Sequence, residues 1–237
     1  MLLYIVRHGI PDYATDTLTP DGVKQAEAVA RRLVPSGIDE VYASPLGRAR
    51  QTAEPTCRAL GLEMQIEPFM SESTAWQHLT AIFEDNSRSW EFNKRIEILG
   101  SDESYAACDG IGRGLYEDDE KAKKGMAIIK EGSDAFLAKL GYEKTGEGNG
   151  YRAVSPSKKH IAAFCHQGFG LHWLAYLLNL PVHIFTATFD ISHTGITVLR
   201  FEEEKNGIAY PQCLCLSDTS HIFADGLPMK YHNHLPF

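Results

Sequence analysis

Two histidines at the ends of apolar runs are the residues of this chain best placed to carry out chemistry. The segment Arg7-His8-Gly9 follows an apolar run at residues 2–6, and His166-Gln167-Gly168 follows another at residues 160–165. Such runs are typical of strands buried on both faces of a parallel sheet. Because the carboxyl ends of parallel strands form the ligand crevice of an open α/β sheet, we expect the two imidazoles to face each other.

Two arginines would give this crevice a positive charge. Arg7 precedes His8, and Arg48 lies in Ser-Pro-Leu-Gly-Arg at residues 44–48, after a second apolar run at residues 39–43. That position is the first turn of a predicted helix, where free N–H groups and guanidinium groups both attract phosphoryl oxygens. The whole chain carries a net charge of −8, which argues against general binding to nucleic acid or anionic membranes. An anionic substrate therefore needs this local positive pocket.

The residue types point to phosphoryl transfer. A neutral imidazole can attack phosphorus and form a phosphohistidine when a carbonyl holds its other nitrogen as N–H. Arg7, Arg48 and a protonated His166 would stabilise the charge on the phosphoryl oxygens. Glu72 follows a third predicted strand at residues 62–66. It could protonate the leaving alkoxide and later accept a proton from the attacking water.

The elements that position these residues alternate between strand and helix. Thr19 and Pro20 predict the start of a helix that ends at Gly37, and Ser44-Pro45 predicts the opening of a second helix that ends at Gly61. After residue 158 the alternation resumes with a strand at residues 160–165, a helix at 168–178, and closing strands at 196–201 and 212–216. This order predicts an α/β fold, a three-layer α/β/α sandwich around a mostly parallel sheet.

Residues 73–156 interrupt the alternation. This stretch is more polar and less periodic than the rest, and it contains one plausible long helix at residues 118–140. We interpret residues 1–237 as a single domain in which residues 73–156 form an inserted cap over the active edge of the sheet.

Several motifs together resemble the histidine phosphatase superfamily, in its phosphoglycerate-mutase-like group. Besides Arg7-His8-Gly9, the chain has Leu-Thr-Pro-Asp-Gly-Val-Lys-Gln-Ala at residues 18–26 and Ser-Pro-Leu-Gly-Arg-Ala-Arg-Gln-Thr at residues 44–52. His166 after a hydrophobic strand and Asp-Thr-Ser-His at residues 218–221 also fit the family pattern. The resemblance covers residues 1–72 and about 158–222.

The resemblance implies a role for each candidate site residue. His8 would be the nucleophile, Glu72 the proton donor, and Arg7, Arg48 and His166 the phosphoryl-binding groups. We place Gly168 with the substrate-binding residues, because a glycine lets backbone approach a ligand closely. The family needs no metal, and we expect no cofactor for this protein. The expected activity is hydrolysis of a small-molecule phosphomonoester.

Two departures from the family pattern leave alternatives open. Residues 10–13 replace the Glu-Thr or Glu-Ser that follows Arg-His-Gly in many members, so the loop on the substrate side differs. Residues 72–76 replace the Glu-Arg-His-Tyr-Gly segment of cofactor-dependent mutases, which argues against the mutase reaction. The alternatives are phosphoglycerate mutase-type phosphoryl transfer and a regulatory protein that binds a phosphate ester with weak catalysis.

Other conspicuous residues receive structural interpretations. Trp76, Trp90 and Tyr105 are interpreted as core residues, with substrate contact as the alternative; His193 and His221 are interpreted as structural, with a place at the pocket rim as the alternative. The glycine-rich residues 110–114 lack the dinucleotide-binding spacing and are interpreted as a loop, and His232 and His234 as solvated.

The location and the thiols follow from composition. The five cysteines form no disulfide framework and are interpreted as core thiols. Residues 1–6 are too short for a signal peptide and no apolar stretch is long enough to span a membrane, so the expected location is the cytoplasm. The sequence predicts neither the oligomeric state nor the substrate, whose recognition would lie in residues 73–156.

Overall fold

The computed structural model describes residues 1–100, 114–146, 148 and 150–228. Its strands are β1 (Leu2–Arg7), β2 (Pro11–Asp12), β3 (Thr17–Leu18), β4 (Glu40–Ala43), β5 (Met64–Ile66), β6 (Thr80–Ile82), β7 (Arg88–Trp90), β8 (Tyr142–Lys144), β9 (Tyr151–Ala153), β10 (His160–Cys165), β11 (Ile196–Arg200), β12 (Ile208–Ala209) and β13 (Gln212–Asp218). Its α-helices are α1 (Pro20–Leu33), α2 (Gly47–Leu60), α3 (Glu72–His78), α4 (Arg95–Leu99), α5 (Asp119–Lys139), α6 (Gln167–Leu178), α7 (Val182–Thr188) and α8 (Ser220–Ala224).

A six-stranded sheet in the order β13-β11-β1-β10-β4-β5 forms the centre of the molecule. Strands β1, β10, β4 and β5 run parallel, and β11 pairs antiparallel with β1 and with β13. The mostly parallel sheet and the closing pair of strands are thus confirmed. The third predicted strand begins at Met64, two residues later than expected.

Helices cover both faces of this sheet. Successive side chains of a strand point to opposite faces, and Leu3 and Ile5 accordingly belong to one buried cluster, whereas Tyr4 and Val6 belong to another. The first cluster includes residues of α5 and α6, and the second includes residues of α1 and α2. The three-layer α/β/α sandwich is therefore confirmed.

Local chemistry accounts for some ends of the first two helices, but α1 ends at Leu33, and a 3₁₀ turn at Val34–Ser36 separates it from the predicted end at Gly37. The Thr19 hydroxyl accepts a hydrogen bond from the Gly22 N–H at 3.1 Å and caps α1, and Gly61 ends α2 in the left-handed conformation. The second helix, however, begins at Gly47 and not at Ser44-Pro45. Residues 44–46 form a turn in which the Ser44 hydroxyl accepts a hydrogen bond from the Leu46 N–H. This turn positions Ser44 beside the candidate active site.

The stretch at residues 73–156 contributes to the core as well as to the active edge. The predicted long helix is α5, capped by the Asp118 carboxylate, and it buries Phe136 and Leu137 against the sheet. Helix α3 and the β6–β7 hairpin lie beside the candidate site. The three-stranded sheet β12-β9-β8 was not predicted, and the assignment of this stretch as a cap inserted in a single domain stays a prediction.

Some predictions concern residues outside the described ranges: Tyr105, Cys108, residues 110–113, His232 and His234. In the part of the chain that is described, Cys57, Cys165, Cys213 and Cys215 are free thiols, of which the first two are buried. No helix within the described ranges has the length and apolar character needed to cross a membrane.

Candidate active site

The two histidines meet at the carboxyl ends of neighbouring strands, as expected. Strand β1 ends at Arg7 and pairs in register with β10, and the His8 N–H continues the pairing by donating to the Cys165 carbonyl at 2.9 Å. The ring centroids of His8 and His166 lie 5.1 Å apart, and these residues are 2% and 0% exposed. The predicted convergence of the imidazoles is therefore observed.

The His8 ring is oriented so that Nε2 is the nitrogen facing the site. Its Nδ1 lies 2.7 Å from the Gly9 carbonyl, which can only accept, so Nδ1 carries the proton. Burial, reinforced by the positive potential of His166, Arg7 and Arg48, holds the pKa of His8 well below its usual value. The ring is therefore neutral near pH 7, with a free electron pair on Nε2.

Close backbone packing holds the loop that follows His8. A Cβ atom on Gly9 would lie 2.7 Å from the Gly22 carbonyl oxygen, and one on Gly22 would lie 2.2 Å from that of Ile10, so both positions need glycine. Thr52 Oγ1 accepts from Gly9 N–H at 3.0 Å, and Gln25 Oε1 accepts from Ile10 N–H at 2.9 Å. Gln25 on α1 and Thr52 on α2 thus position this loop.

Arg7 is anchored on the β11 side of the site. Its Nη1 donates to the Ile191 carbonyl at 2.7 Å, and its Nη2 lies 2.9 Å from His193 Nε2. Burial lowers the pKa of Arg7 to about 10, so the guanidinium remains charged near pH 7. The His193 ring also lies 5.6 Å from the His8 ring. His193 therefore adjoins His8, and its place at the pocket rim stays a prediction.

Arg48 is held between His8 and a carboxylate that the sequence analysis missed. Its Nε lies 3.4 Å from His8 Nε2, and its Nη1 donates to Asp16 Oδ1 at 2.5 Å. Asp16 Oδ2 also accepts the Gly47 N–H at 2.6 Å, at the N-terminus of α2. Asp16 has a φ of 53°, which an Asp tolerates better than most residues. Nothing in the local sequence around Asp16 predicts these contacts, because Gly47 follows it by 31 residues.

His166 lies between Ser44 and Glu72. The Ser44 hydroxyl accepts from Leu46 N–H at 3.3 Å, so its own proton is free to point at His166 Nε2, 2.7 Å away. That arrangement leaves the imidazole proton on Nδ1, which lies 3.6 Å from Glu72 Oε2. Burial, with the charges of Arg48 and Arg7, holds the pKa of His166 well below its usual value. His166 is thus neutral in this structure, which differs from the protonated form expected from the sequence.

Glu72 is the first residue of α3 and points into the same cluster. Its Oε1 accepts the Gly168 N–H at 3.0 Å, and its side chain is 13% exposed. Gly168 has little free surface for a ligand, because its N–H is bonded to Glu72 and a Cβ there would lie 2.3 Å from a ring carbon of Trp90. In this structure Gly168 orients the carboxylate, and its predicted contact with substrate stays a prediction.

The cluster opens into a cavity of about 500 Å³. Arg7, His8, Arg48 and Glu72 line it together with Tyr13, Trp76 and Trp90. Both tryptophans are half-buried and line the cavity, and Trp90 also packs against the main core cluster, in agreement with the core interpretation. Contact of either tryptophan with substrate stays a prediction. His221 is buried behind the site, where its Nε2 lies 3.0 Å from Thr194 Oγ1, in agreement with the structural interpretation.

Comparisons with known proteins agree with this fold. Residues 3–113 match the model of the histidine phosphatase superfamily (branch 1). The chain is 37% identical over 79 residues to proteins named probable phosphoglycerate mutase GpmB from Yersinia pestis and Yersinia pseudotuberculosis. This match spans 30% of the chain and only 37% of the length of those relatives.

Solved structures match over nearly the whole chain. Phosphoserine phosphatase from Entamoeba histolytica in complex with 3-phosphoglyceric acid has a TM-score of 0.59 at 21% identity, covering 93% of this chain and 98% of that one. The mycobacterial glucosyl-3-phosphoglycerate phosphatase has a TM-score of 0.59 at 19% identity, covering 92% and 99%. The α-ribazole phosphatase from Shigella flexneri has a TM-score of 0.58 at 17% identity, covering 92% and 96%. These likenesses establish the fold.

The architecture is thus that of the phosphoglycerate-mutase-like α/β proteins. The match to the histidine phosphatase superfamily model is confined to residues 3–113. In the described part of the chain, no group of three or more His, Cys, Asp or Glu side chains is arranged to hold a metal ion.

Proposed function

We propose that the protein hydrolyses a small-molecule phosphomonoester through a phosphohistidine on His8, with Glu72 as the proton donor. The observation that carries this proposal is the environment of His8 Nε2. It is the unprotonated nitrogen of a buried neutral ring, it faces Arg48 and the His166 ring, and it lies at the floor of an open cavity.

The phosphoryl group binds to the cations and donors around His8. Arg48 turns its Nε–H from His8 to a phosphoryl oxygen, and Arg7 supplies a second guanidinium. His166 Nδ1 is buried without a hydrogen-bond partner among the described residues, and its proton can be donated to a third oxygen. Donors fixed before the reaction stabilise the developing charge without reorganising, which is the largest contribution in many enzymes.

The reaction then proceeds in two balanced steps. His8 Nε2 forms a bond to phosphorus as the bond to the ester oxygen breaks, and the leaving oxygen takes the proton of the Glu72 carboxyl group. Water next attacks the phosphohistidine and gives a proton to Glu72 as the phosphorus–nitrogen bond breaks. Inorganic phosphate leaves, and His8 and Glu72 return to their starting protonation states.

Glu72 is suitably placed for both proton transfers. Its Oε1 is fixed by the Gly168 N–H, which leaves Oε2 directed at the same region as His166 Nδ1. A bound phosphate dianion favours the protonated carboxyl group through charge repulsion. The donor therefore acquires its proton when the ester binds.

Phosphoglycerate mutase activity is the second candidate, because the curated relatives carry that name. The neighbours in fold are named as phosphatases instead. The segment at residues 72–76 also lacks the Glu-Arg-His-Tyr-Gly pattern of cofactor-dependent mutases. We therefore favour hydrolysis.

Turnover of p-nitrophenyl phosphate in the presence of EDTA tests the proposal. The wild-type protein should release nitrophenol and phosphate, and His8→Ala should not. Absence of turnover in the wild type, together with tight binding of phosphate, would support the regulatory alternative. Interconversion of phosphoglycerates that outpaces phosphate release would support the mutase.

A further inference from the structure

The cavity has two chemically different ends. Its cationic residues, among those described, are Arg7 and Arg48, and both lie at the phosphoryl end beside His8. Glu72 lies at the same end, beside His166, and the remaining lining is neutral and includes the indoles of Trp76 and Trp90 and the amide of Gln77. The leaving group of the substrate must occupy this neutral end.

Trp76 and Trp90, here called the aromatic wall, are fixed in place before any substrate binds. Their rings lie 5.0 Å apart at 86°, and Trp90 also stacks on Phe92 at 5.7 Å and 10°. Trp90 sits directly on the Cα of Gly168, where a side chain would displace it. Helix α3 is held in turn against α5, because Gly125 leaves room for His78. The wall therefore presents two perpendicular indole planes on a rigid support.

This end of the cavity suits a flat apolar group and does not suit an anion. A planar ring can stack on one indole while meeting the edge of the other, and both arrangements are favourable. A carboxylate in the same place would lose its hydration without gaining a cationic partner among the described lining residues. Arg88, 6.0 Å from the Trp76 ring, is outside the described lining and is already paired with Glu117 at 3.3 Å.

The dimensions agree with a leaving group of ring size. The cavity of about 500 Å³ is within the range of roughly 300–1,000 Å³ that is usual for sites of small organic ligands. Tyr13 lines the cavity near its phosphoryl end, since its ring lies 5.3 Å from the Arg48 guanidinium. Gln77 and Ser73 add neutral hydrogen-bonding groups for substituents on the ring.

We propose that the substrate is a phosphomonoester of an alcohol bearing a neutral planar ring, which packs on the aromatic wall, and not a phosphorylated small acid. This inference rests on the proposed function, because it assumes that the phosphoryl group binds at His8. By this inference, Trp76 and Trp90 determine which leaving groups the protein accepts.

Benzyl phosphate, ethyl phosphate and 3-phosphoglycerate form a panel that isolates the leaving-group contact. All three are monoesters of primary alcohols, in which the ester oxygen is bonded to a saturated carbon, so differences in turnover report how the rest of the molecule binds. We expect kcat/KM for benzyl phosphate to exceed that for ethyl phosphate by about tenfold or more, since even one methylene group in an apolar pocket changes this ratio by about 10–200-fold. Equal values, or the highest value for 3-phosphoglycerate, would overturn the inference and leave the phosphatase proposal standing.

A binding measurement separates the two proposals if no ester is hydrolysed. Benzylphosphonate and ethylphosphonate are not hydrolysed and can be titrated by calorimetry. Tighter binding of benzylphosphonate would support the aromatic subsite even if the catalytic proposal failed. Equal affinity of the two phosphonates would overturn the subsite.

Substitutions in the lining test the assignment directly. Trp76→Ala should lower the benzyl-to-ethyl ratio of kcat/KM towards one, whereas Trp76→Phe should retain most of it, and circular dichroism checks that both fold. Gln77→Arg adds a cation at an exposed position and should raise the turnover of 3-phosphoglycerate relative to benzyl phosphate. An unchanged benzyl-to-ethyl ratio in folded Trp76→Ala would overturn the role of the aromatic wall.

Discussion

Replacing Asp16 by Asn tests how the site holds Arg48. The Asp16 carboxylate bridges Arg48 Nη1 at 2.5 Å and the Gly47 N–H at 2.6 Å. Asn has nearly the same shape, tolerates the φ of 53° and still offers an oxygen to Gly47. It removes the charge that faces the guanidinium, so its effect isolates the ion pair.

The expected loss is modest because the pair is partly solvated. The Arg48 side chain is 10% exposed and that of Asp16 is 38% exposed. After allowance for solvent screening, the pair contributes on the order of 1 kcal/mol. If that energy orients Arg48 in the transition state, Asp16→Asn should lower kcat/KM about fivefold. Asp16→Ala should cost about 1 kcal/mol more in the free energy of unfolding, because it also removes the cap of α2.

Steady-state kinetics on p-nitrophenyl phosphate and urea unfolding provide the two measurements. Asp12→Asn is the matched control, since Asp12 ends the neighbouring strand β2, is exposed, and accepts a hydrogen bond from the Ala14 N–H through its carboxylate. If Asp16→Asn has the same kcat/KM as the wild type, the role of Asp16 in positioning Arg48 is refuted. A higher value would show that the carboxylate competes with substrate for Arg48.

Three further changes probe other contacts of the site and its support. Glu72→Gln should impair ethyl phosphate more than p-nitrophenyl phosphate, because nitrophenolate leaves without a proton; equal losses in kcat would remove Glu72 as the acid. Ser44→Ala frees the tautomer of His166 and should lower kcat about tenfold with less change in KM; an unaltered kcat would contradict the tautomer argument. Burial alone would lower the pKa of His172, but Glu91, 3.0 Å away, and the Gly168 carbonyl raise it above its usual value. The His172–Glu91 pair therefore stabilises the folded protein below about pH 6.5, and this stabilisation is lost as the pH rises through the raised pKa of His172. The difference in the free energy of unfolding between wild type and Glu91→Gln should accordingly shrink from pH 6 to 9. A difference independent of pH would contradict it.

The residues predicted from sequence are those whose position follows from a buried strand. The apolar runs before His8 and His166 predicted that both residues end parallel strands, and the structure brings their rings together. Arg48 followed from similar reasoning, because its helix follows β4 after the short turn at residues 44–46. The local sequence pattern is sufficient to predict the positions of these residues, since a residue that ends a parallel strand lies at the carboxyl edge of the sheet.

The residues that were missed depend on tertiary contacts without a local pattern. Asp16 acts through α2, which is distant in sequence, and nothing near it predicts that contact. The protonation state of His166 depends on burial and on two arginines from other elements. Strands β8, β9 and β12 have two or three residues each, too short to show an alternating pattern.

The aromatic wall illustrates the same limit. Trp76 and Trp90 were interpreted as core residues because large aromatic side chains usually pack inside. In the structure Trp90 lies on the β6–β7 hairpin over Gly168, and Trp76 lies beside it on α3; both placements are tertiary features.

Trapping the phosphoenzyme is the most direct test of the central claim that His8 Nε2 attacks phosphorus. A ³²P-labelled ester is mixed with the wild-type protein, quenched in alkali within milliseconds, and the labelled peptide is identified by mass spectrometry. The account predicts a stoichiometric, acid-labile label on His8 that forms and decays at rates compatible with turnover. Steady turnover with no labelled intermediate, or a stoichiometric label on another residue, would contradict it.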